Sequence, residues 1–376
     1  MAVVTDLIQT YDQSTSADIW IAEAIHMISP SETKFQLMLP KIQVGETKAE
    51  WIEDELVGQK TTLLTTNSAT DQNTITIAAS GTSMVPSDVA TYQTVIRIDQ
   101  EYMLVTAMNA NVLTVTKGYA STTAATHAAN APVHIVSVLE HEGASGKKSW
   151  TMARTRPANY VQTFSRVIEV TGVQEAIKKL GGITSEVDYQ IMKAMKQLAL
   201  ELEKTLILGV KAQAGDGAST FRTMGGLWSM ISTNRTSNSS AVVSTDAIEA
   251  DIRAIWDAGG TPRAIVTTGK IAQDIANLYE SRITTDINTT IGGVAVTSIV
   301  NPLGDGPIAI IPHRAVPAGE YYMLDTSKLG LGYIRPFFRK DLAETGDSTK
   351  LWIGGDYTLE LMNETAHVYR YAISET

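Results

Sequence analysis

From Thr184 to Leu208 one pattern repeats: Val187, Ile191, Met195, Leu198, Leu202 and Leu206 recur every three or four residues. That spacing gathers them on one face of an α-helix. Thr184 or Ser185 can cap its start, with Asp188 three residues beyond Ser185. Gly209 stands where a left-handed residue would end it. On that reading asparagine should replace Gly209 better than valine. At about 1.5 Å per residue the helix would be roughly 38 Å long. Such a spine needs other elements to cover its stripe, and core is a simpler reading of the stripe than a cofactor box.

A second segment has another character. Between Thr61 and Glu140 there are sixteen threonines and only two basic residues, Arg97 and Lys117. Short β-type runs recur there: Thr74–Ile77, Val95–Ile98, Tyr102–Val105, Val112–Thr116 and Val133–Val136, with turn residues such as Asp99-Gln100 and Asn109-Ala110-Asn111 between them. Short strands at regular spacing predict a small all-β sandwich or barrel. It stands as an insert between Lys48–Leu56 and the strand pattern of Tyr160–Gly172. Those two flanks could pair as a long hairpin with the insert at its tip.

Residues 1–47 lack material for a core of their own. An amphipathic helix is predicted over Asp18–Ile28, stopped at Ser29-Pro30, followed by an extended piece, Phe35–Pro40. After the spine and a glycine-rich connection through Gly225-Gly226, helix and strand alternate. Helices are expected at Asp246–Ala258 and Lys270–Ser281, and strands at Ala264–Thr267, Val294–Ile299, Ile308–Ile311 and Tyr321–Leu324. A long β-like stretch runs from Lys350 to Ala372. With 376 residues, at roughly 100–200 per domain, two or three domains are expected. The class is mixed α+β.

Composition removes several functions. There is no cysteine, hence no disulfide, thiolate zinc site, iron–sulfur cluster or cysteine nucleophile. Thirty Lys and Arg against forty Asp and Glu give a formal charge of −10, which argues against a protein built to grip phosphates. The start, Met1–Asp6, has no basic n-region, so no signal peptide is expected. No apolar run reaches the roughly 18 residues of a membrane span, and no membrane partner is expected.

Motifs that could carry chemistry are weak. Ala264–Ile271 has a strand, then Gly269-Lys270, then a helix, like a P-loop. However, Ala264 replaces the first glycine and Ile271 replaces the magnesium-binding hydroxyl. An ordinary strand-to-helix turn is the simpler reading. His127, His134 and His141 are spaced by seven, yet Pro132 and the β-branched run after it exclude one helix, and odd spacing in a strand alternates faces. Lys147, Lys148, Arg154 and Arg156 fit a salt-bridged surface better than a phosphate site. The carboxylate pairs Glu53/Glu55 and Glu140/Glu142 fit solvated segments. No catalytic, cofactor-binding or metal-ligating residue is expected, and no cofactor.

Five segments carry a resemblance. His26–Phe35 is similar to a "helix, Ile-Ser-Pro, Thr-x-Phe" signature, with Lys34 where proline is common. Lys48–Leu56 is similar to a Trp-x-x-Asp-x-Leu strand. Asn159–Phe164 looks like the returning strand, Arg222–Leu227 like the loop after a spine helix, and Leu359–Glu364 like a terminal strand. In this order they resemble the major capsid proteins (major head proteins) of tailed bacteriophages, in a branch with a β-domain in the E-loop. The resemblance implies an N-arm at 1–47 and an E-loop at 48–172 with an insert at 61–140. It implies a P-domain spine helix and following loop at 173–244, an A-domain at 245–330, and C-terminal P-domain strands at 331–376.

It also implies a structural role, not an enzyme. Hexamers and pentamers would build an icosahedral shell around double-stranded DNA, in the virion, after assembly in the host cytoplasm. Partners would be copies of the chain, a portal protein at one vertex, and scaffold or decoration proteins whose need stays open. Packaged DNA would be near but not gripped. Inter-subunit contacts are expected at Phe35, Leu37, Leu39, Trp51, Ile52, Leu56, Tyr160 and Phe164. A nanocompartment (encapsulin-like) shell of the same fold is the nearest alternative. A nucleotide enzyme at Gly269-Lys270 and a fibre adhesin built on the threonine-rich module are more distant ones.

Overall fold

The computed structural model describes residues 33–56, 60–67, 72–78, 85, 92–140, 142, 154–177, 185–214, 221–279, 283–291, 294–304, 306–343 and 346–375. The expected helix at Asp18–Ile28, His26, His141, Lys147 and Lys148 lie outside the described residues. The chain divides into two compact units, Met1–Trp51 with Pro157–Thr376, and Ile52–Arg156.

In the larger unit the spine is an α-helix over Glu186–Leu208. The Ser185 hydroxyl accepts from the Asp188 amide at 3.2 Å, and Glu186 and Asp188 set negative charge in the first turn, where the helix dipole favours it. Leu198, Leu202 and Leu206 are buried. One turn earlier Ala194, not Met195, continues the buried face, and Met195 is exposed. Gly209 ends the helix with φ −58°, so the left-handed ending is not adopted. Its lack of a side chain is needed for another reason: a Cβ there would lie 2.5 Å from Thr205 O and 2.6 Å from Met224 O.

The spine packs against a sheet of four described strands, ordered Lys41–Gln43, Leu329–Asp341, Ser348–Leu361 and Gln162–Thr171. Its first pairing is parallel and the others antiparallel. The expected hairpin of the Lys48 and Tyr160 segments is realised with a shifted partner range, and its pairing continues to the bridge Glu53↔Thr155. Lys48–Glu50 pairs with Ala158–Tyr160. From Gln162 onward the chain leaves that partner for Ser348–Leu361, in register from Gln162↔Tyr357 to Thr171↔Ser348. The cause is burial, since this pairing puts Phe164, Ile168 and Val170 in one core with Leu198, Leu202, Leu351 and Ile353.

A second sheet has seven described strands, in the order Arg235–Ser237, Val368–Tyr371, Tyr321–Leu324, Ala264–Thr267, Pro307–Pro312, Val294–Val300, Ile283–Ile291. Helices Thr245–Asp257 and Gly269–Leu278 join it. Ala264–Thr267 is buried on both faces. Ala264 and Val266 enter the spine core, while Ile265 enters a second core with Ile252, Ile255, Ile271 and Ile275 of the two helices. Alternation along one strand thus serves two cores.

In the unit Ile52–Arg156, six described strands run in the order Lys60–Thr62, Pro132–Glu140, Tyr92–Ile98, Glu101–Asn109, Val112–Thr116, Thr74–Thr76. The first and last are joined by the bridge Leu63↔Ile77. Leu64 N donates to Thr76 O at 2.8 Å and Ala78 N to Thr62 O at 2.9 Å. The sheet therefore closes into a small barrel, filled by Leu63, Ile75, Ile96, Ile98, Met103, Val105 and Leu113. Among the described residues, closure pairs the two end strands of the sheet with each other.

Candidate assembly interface

The segment expected to be extended at Phe35–Pro40 instead forms a short helix, Lys34–Met38. Its free N-terminal amides are held by Glu203 of the spine. Phe35 N donates to Oε1 at 2.6 Å and Gln36 N to Oε2 at 2.9 Å. His313 Nε2 donates to the same Oε1 at 2.8 Å. Glu203 is buried, so its charge is balanced by these charge-assisted bonds rather than by water. The helix drives Phe35 and Leu39 into the spine core.

This changes the distribution of the eight expected contact residues. Phe35, Leu39 and Phe164 are buried among the chain's own side chains and present no surface to a neighbour. Trp51 is 8% exposed. Tyr160 is half-buried, with Lys211 Nζ 5.9 Å from its ring centre. Three remain open: Leu37 at 61%, Ile52 at 64% and Leu56 at 90% exposure. Leu37 belongs to the larger unit, and Ile52 and Leu56 to the smaller.

Two residues that sequence reasoning missed organise the larger unit. Glu203 is one; a carboxylate one place from Leu202 on the buried face of the spine was the available signal. Asn159 is the other. Its Oδ1 accepts from Gly225 N at 2.7 Å and Tyr160 N at 2.9 Å, and its Nδ2 donates to Gly225 O at 2.9 Å and Leu359 O at 2.8 Å. Three of the five segments that carried the resemblance, those at Asn159, Gly225 and Leu359, thus meet at one side chain.

The polar groups that suggested chemistry have internal partners. The Thr268 hydroxyl caps helix Gly269–Leu278, and Lys270 Nζ pairs with Asp274 Oδ1 at 2.6 Å. His127 lies between Asp99 Oδ2 at 2.7 Å and Glu101 Oε2 at 2.9 Å. Burial opposes charge on Glu101. Amide bonds from Ala125 and Gly118, the His127 bond and the field of Lys117 outweigh it and hold its carboxyl below the usual range. Arg154 pairs with Asp54. Arg370 grips Asp251, which also takes the Tyr321 hydroxyl. Burial foremost, then the Asp251 charge, pushes that phenol well above its ordinary range. Among the described residues no group of three or more His, Asp and Glu is placed to hold a metal ion.

A family model for the SU10 major capsid protein matches residues 7–370. The chain belongs to the SU10 major capsid protein family. Its role is therefore structural, in the virion capsid, where copies of the chain associate. Solved structures similar to this capsid protein include one from Mycobacterium phage Bobi, with a TM-score of 0.49 and 10% identity, covering 97% of this chain and 98% of that one. The capsid of an empty GTA particle matches with a TM-score of 0.49 and 8% identity, covering 98% and 99%. The holo-SrpI encapsulin complex from Synechococcus elongatus matches at 0.46 and 10% identity, covering 59% and 77%. All three scores fall below 0.5, and the family match alone decides. No curated protein matches the chain.

Proposed function

We propose that this capsid protein is the repeating subunit of an icosahedral phage head, assembled as hexamers and pentamers around double-stranded DNA, and that it performs no catalysis. The observation that supports this best is the exposure of Ile52 and Leu56. Covering one such side chain contributes about 1.5–3 kcal/mol, and a shell repeats each contact many times. In this reading residues 1–47 are the N-arm, 48–172 the E-loop with the 61–140 insert, 173–244 the spine and its loop, 245–330 the A-domain, and 331–376 the closing P-domain strands. A portal at one vertex and scaffold or decoration proteins would be further partners. The formal charge of −10 suits a wall that DNA passes without sticking.

Negative-stain electron microscopy of the expressed protein tests the proposal. Closed shells are the expected result. A monodisperse monomer at high concentration, with no particles under any condition, would refute it.

A further inference from the structure

Glu360 lies on strand Ser348–Leu361, paired with Gly330. Its neighbours Leu359 and Leu361 enter the spine core. Glu360 therefore points to the opposite face of the sheet. Its carboxylate leans over Gly330, where an added Cβ would come 3.4 Å from Oε2. Beside it runs a groove lined by Ile42, Val44, Lys48, Glu50, Trp51 and Glu360. Lys48, the one cation lining it among the described residues, is engaged by Glu50. Among the described residues no hydrogen bond or ion pair reaches the Glu360 carboxylate.

We propose that this groove receives a cationic side chain, lysine or arginine, from a second copy of the chain. The inference rests on the assembly reading above. A half-buried carboxylate with no partner is costly, because lost hydration is not replaced. Burial pushes its carboxyl above the ordinary range in the isolated subunit. An incoming ammonium or guanidinium replaces that hydration. Copies that each carry a formal charge of −10 repel at a distance. A matched cation-to-carboxylate contact would work against that repulsion and fix the register of neighbours.

The test compares Glu360→Gln in free subunits and in assembled shells, by thermal melting of the first and thermal disassembly of the second. In the free subunit the variant should melt at the same or a higher temperature, because an unpartnered buried charge has gone. In shells it should lower the disassembly temperature, and the gap from wild type should narrow as salt is raised. Glu360→Lys should leave the subunit folded and block shell formation. Shells of Glu360→Gln as stable as wild type would overturn the inference while leaving the assembly reading intact. A free subunit destabilised by Glu360→Gln would overturn it too, by placing the partner inside the chain. Absence of wild-type shells would remove both.

Discussion

The side-chain amide of Asn159 exchanges two hydrogen bonds with the main chain of Gly225, accepting from its N–H at 2.7 Å and donating to its carbonyl at 2.9 Å. A side chain here does what a neighbouring strand would do for a loop that has none. With its bonds to Tyr160 N and Leu359 O, all four hydrogen-bonding positions of the amide are used.

Asn159→Leu should therefore destabilise the larger unit by about 2–4 kcal/mol, since several buried main-chain groups lose their partner. Asn159→Asp should be comparably damaging, because a carboxylate cannot donate to Gly225 O and Leu359 O. Urea denaturation checks both. An aspartate variant as stable as wild type would show that the donor bonds contribute little.

Gly209 should tolerate neither alanine nor asparagine. Its φ of −58° is ordinary for any residue. Even so, a Cβ would press on Thr205 O, Met224 O and Gly226 N at 2.5, 2.6 and 3.0 Å, main-chain atoms that cannot swing aside. Overpacking of this kind costs about 1–3 kcal/mol. Gly259 is the contrast, with φ +71° and nothing within 4 Å of an added Cβ. There asparagine should be accepted and valine refused. Thermal melts of Gly209→Asn and Gly259→Asn should separate clearly.

His367 gives the fold an acid limit. Burial foremost lowers its folded-state pKa to about 4, against the opposing pull of the Met362 carbonyl and Asp325. An unfolded histidine titrates near 6.5. Below pH 6.5 the unfolded state takes up a proton that the folded state refuses, so stability falls as pH drops from about 6.5 to about 4. The loss from this residue is on the order of 3 kcal/mol. Denaturation curves across that window should show it, and His367→Asn should flatten the dependence.

Local pattern explains where the sequence was legible. The spine was readable to within two residues because its stripe repeats over about five turns, and Ala264–Thr267 and Tyr321–Leu324 because buried apolar runs stand between turn residues. Lys34–Met38 was misread as extended because its N-terminus is capped by Glu203, 168 positions away. Residue pattern does not mark Leu329–Asp341 as a strand, because Gly330, Gly332 and Pro336 interrupt it; only the resemblance implies strands from 331 onward. Yet the glycines are what admit Ile42, Val44 and Thr358 against that strand. Apolar pattern marks Phe35 and Leu56 alike, and only the fold decides that the first fills the chain's own core and the second stands in solvent.

That division makes the last prediction. Leu56→Ser and Ile52→Ser should leave subunit stability within about 0.5 kcal/mol of wild type, as exposed substitutions do, yet lower the yield of shells, because the proposed assembly would cover that surface only between copies. Trp51→Ala should behave otherwise. At 8% exposure its indole packs mainly within its own chain, so folding and assembly should fail together, with a cost of about 3–5 kcal/mol. Circular dichroism melts beside particle counts by electron microscopy separate the cases. Normal shells from the Leu56→Ser and Ile52→Ser double variant would mean that these side chains stay in water in the capsid, and the contact would have to be sought on another face.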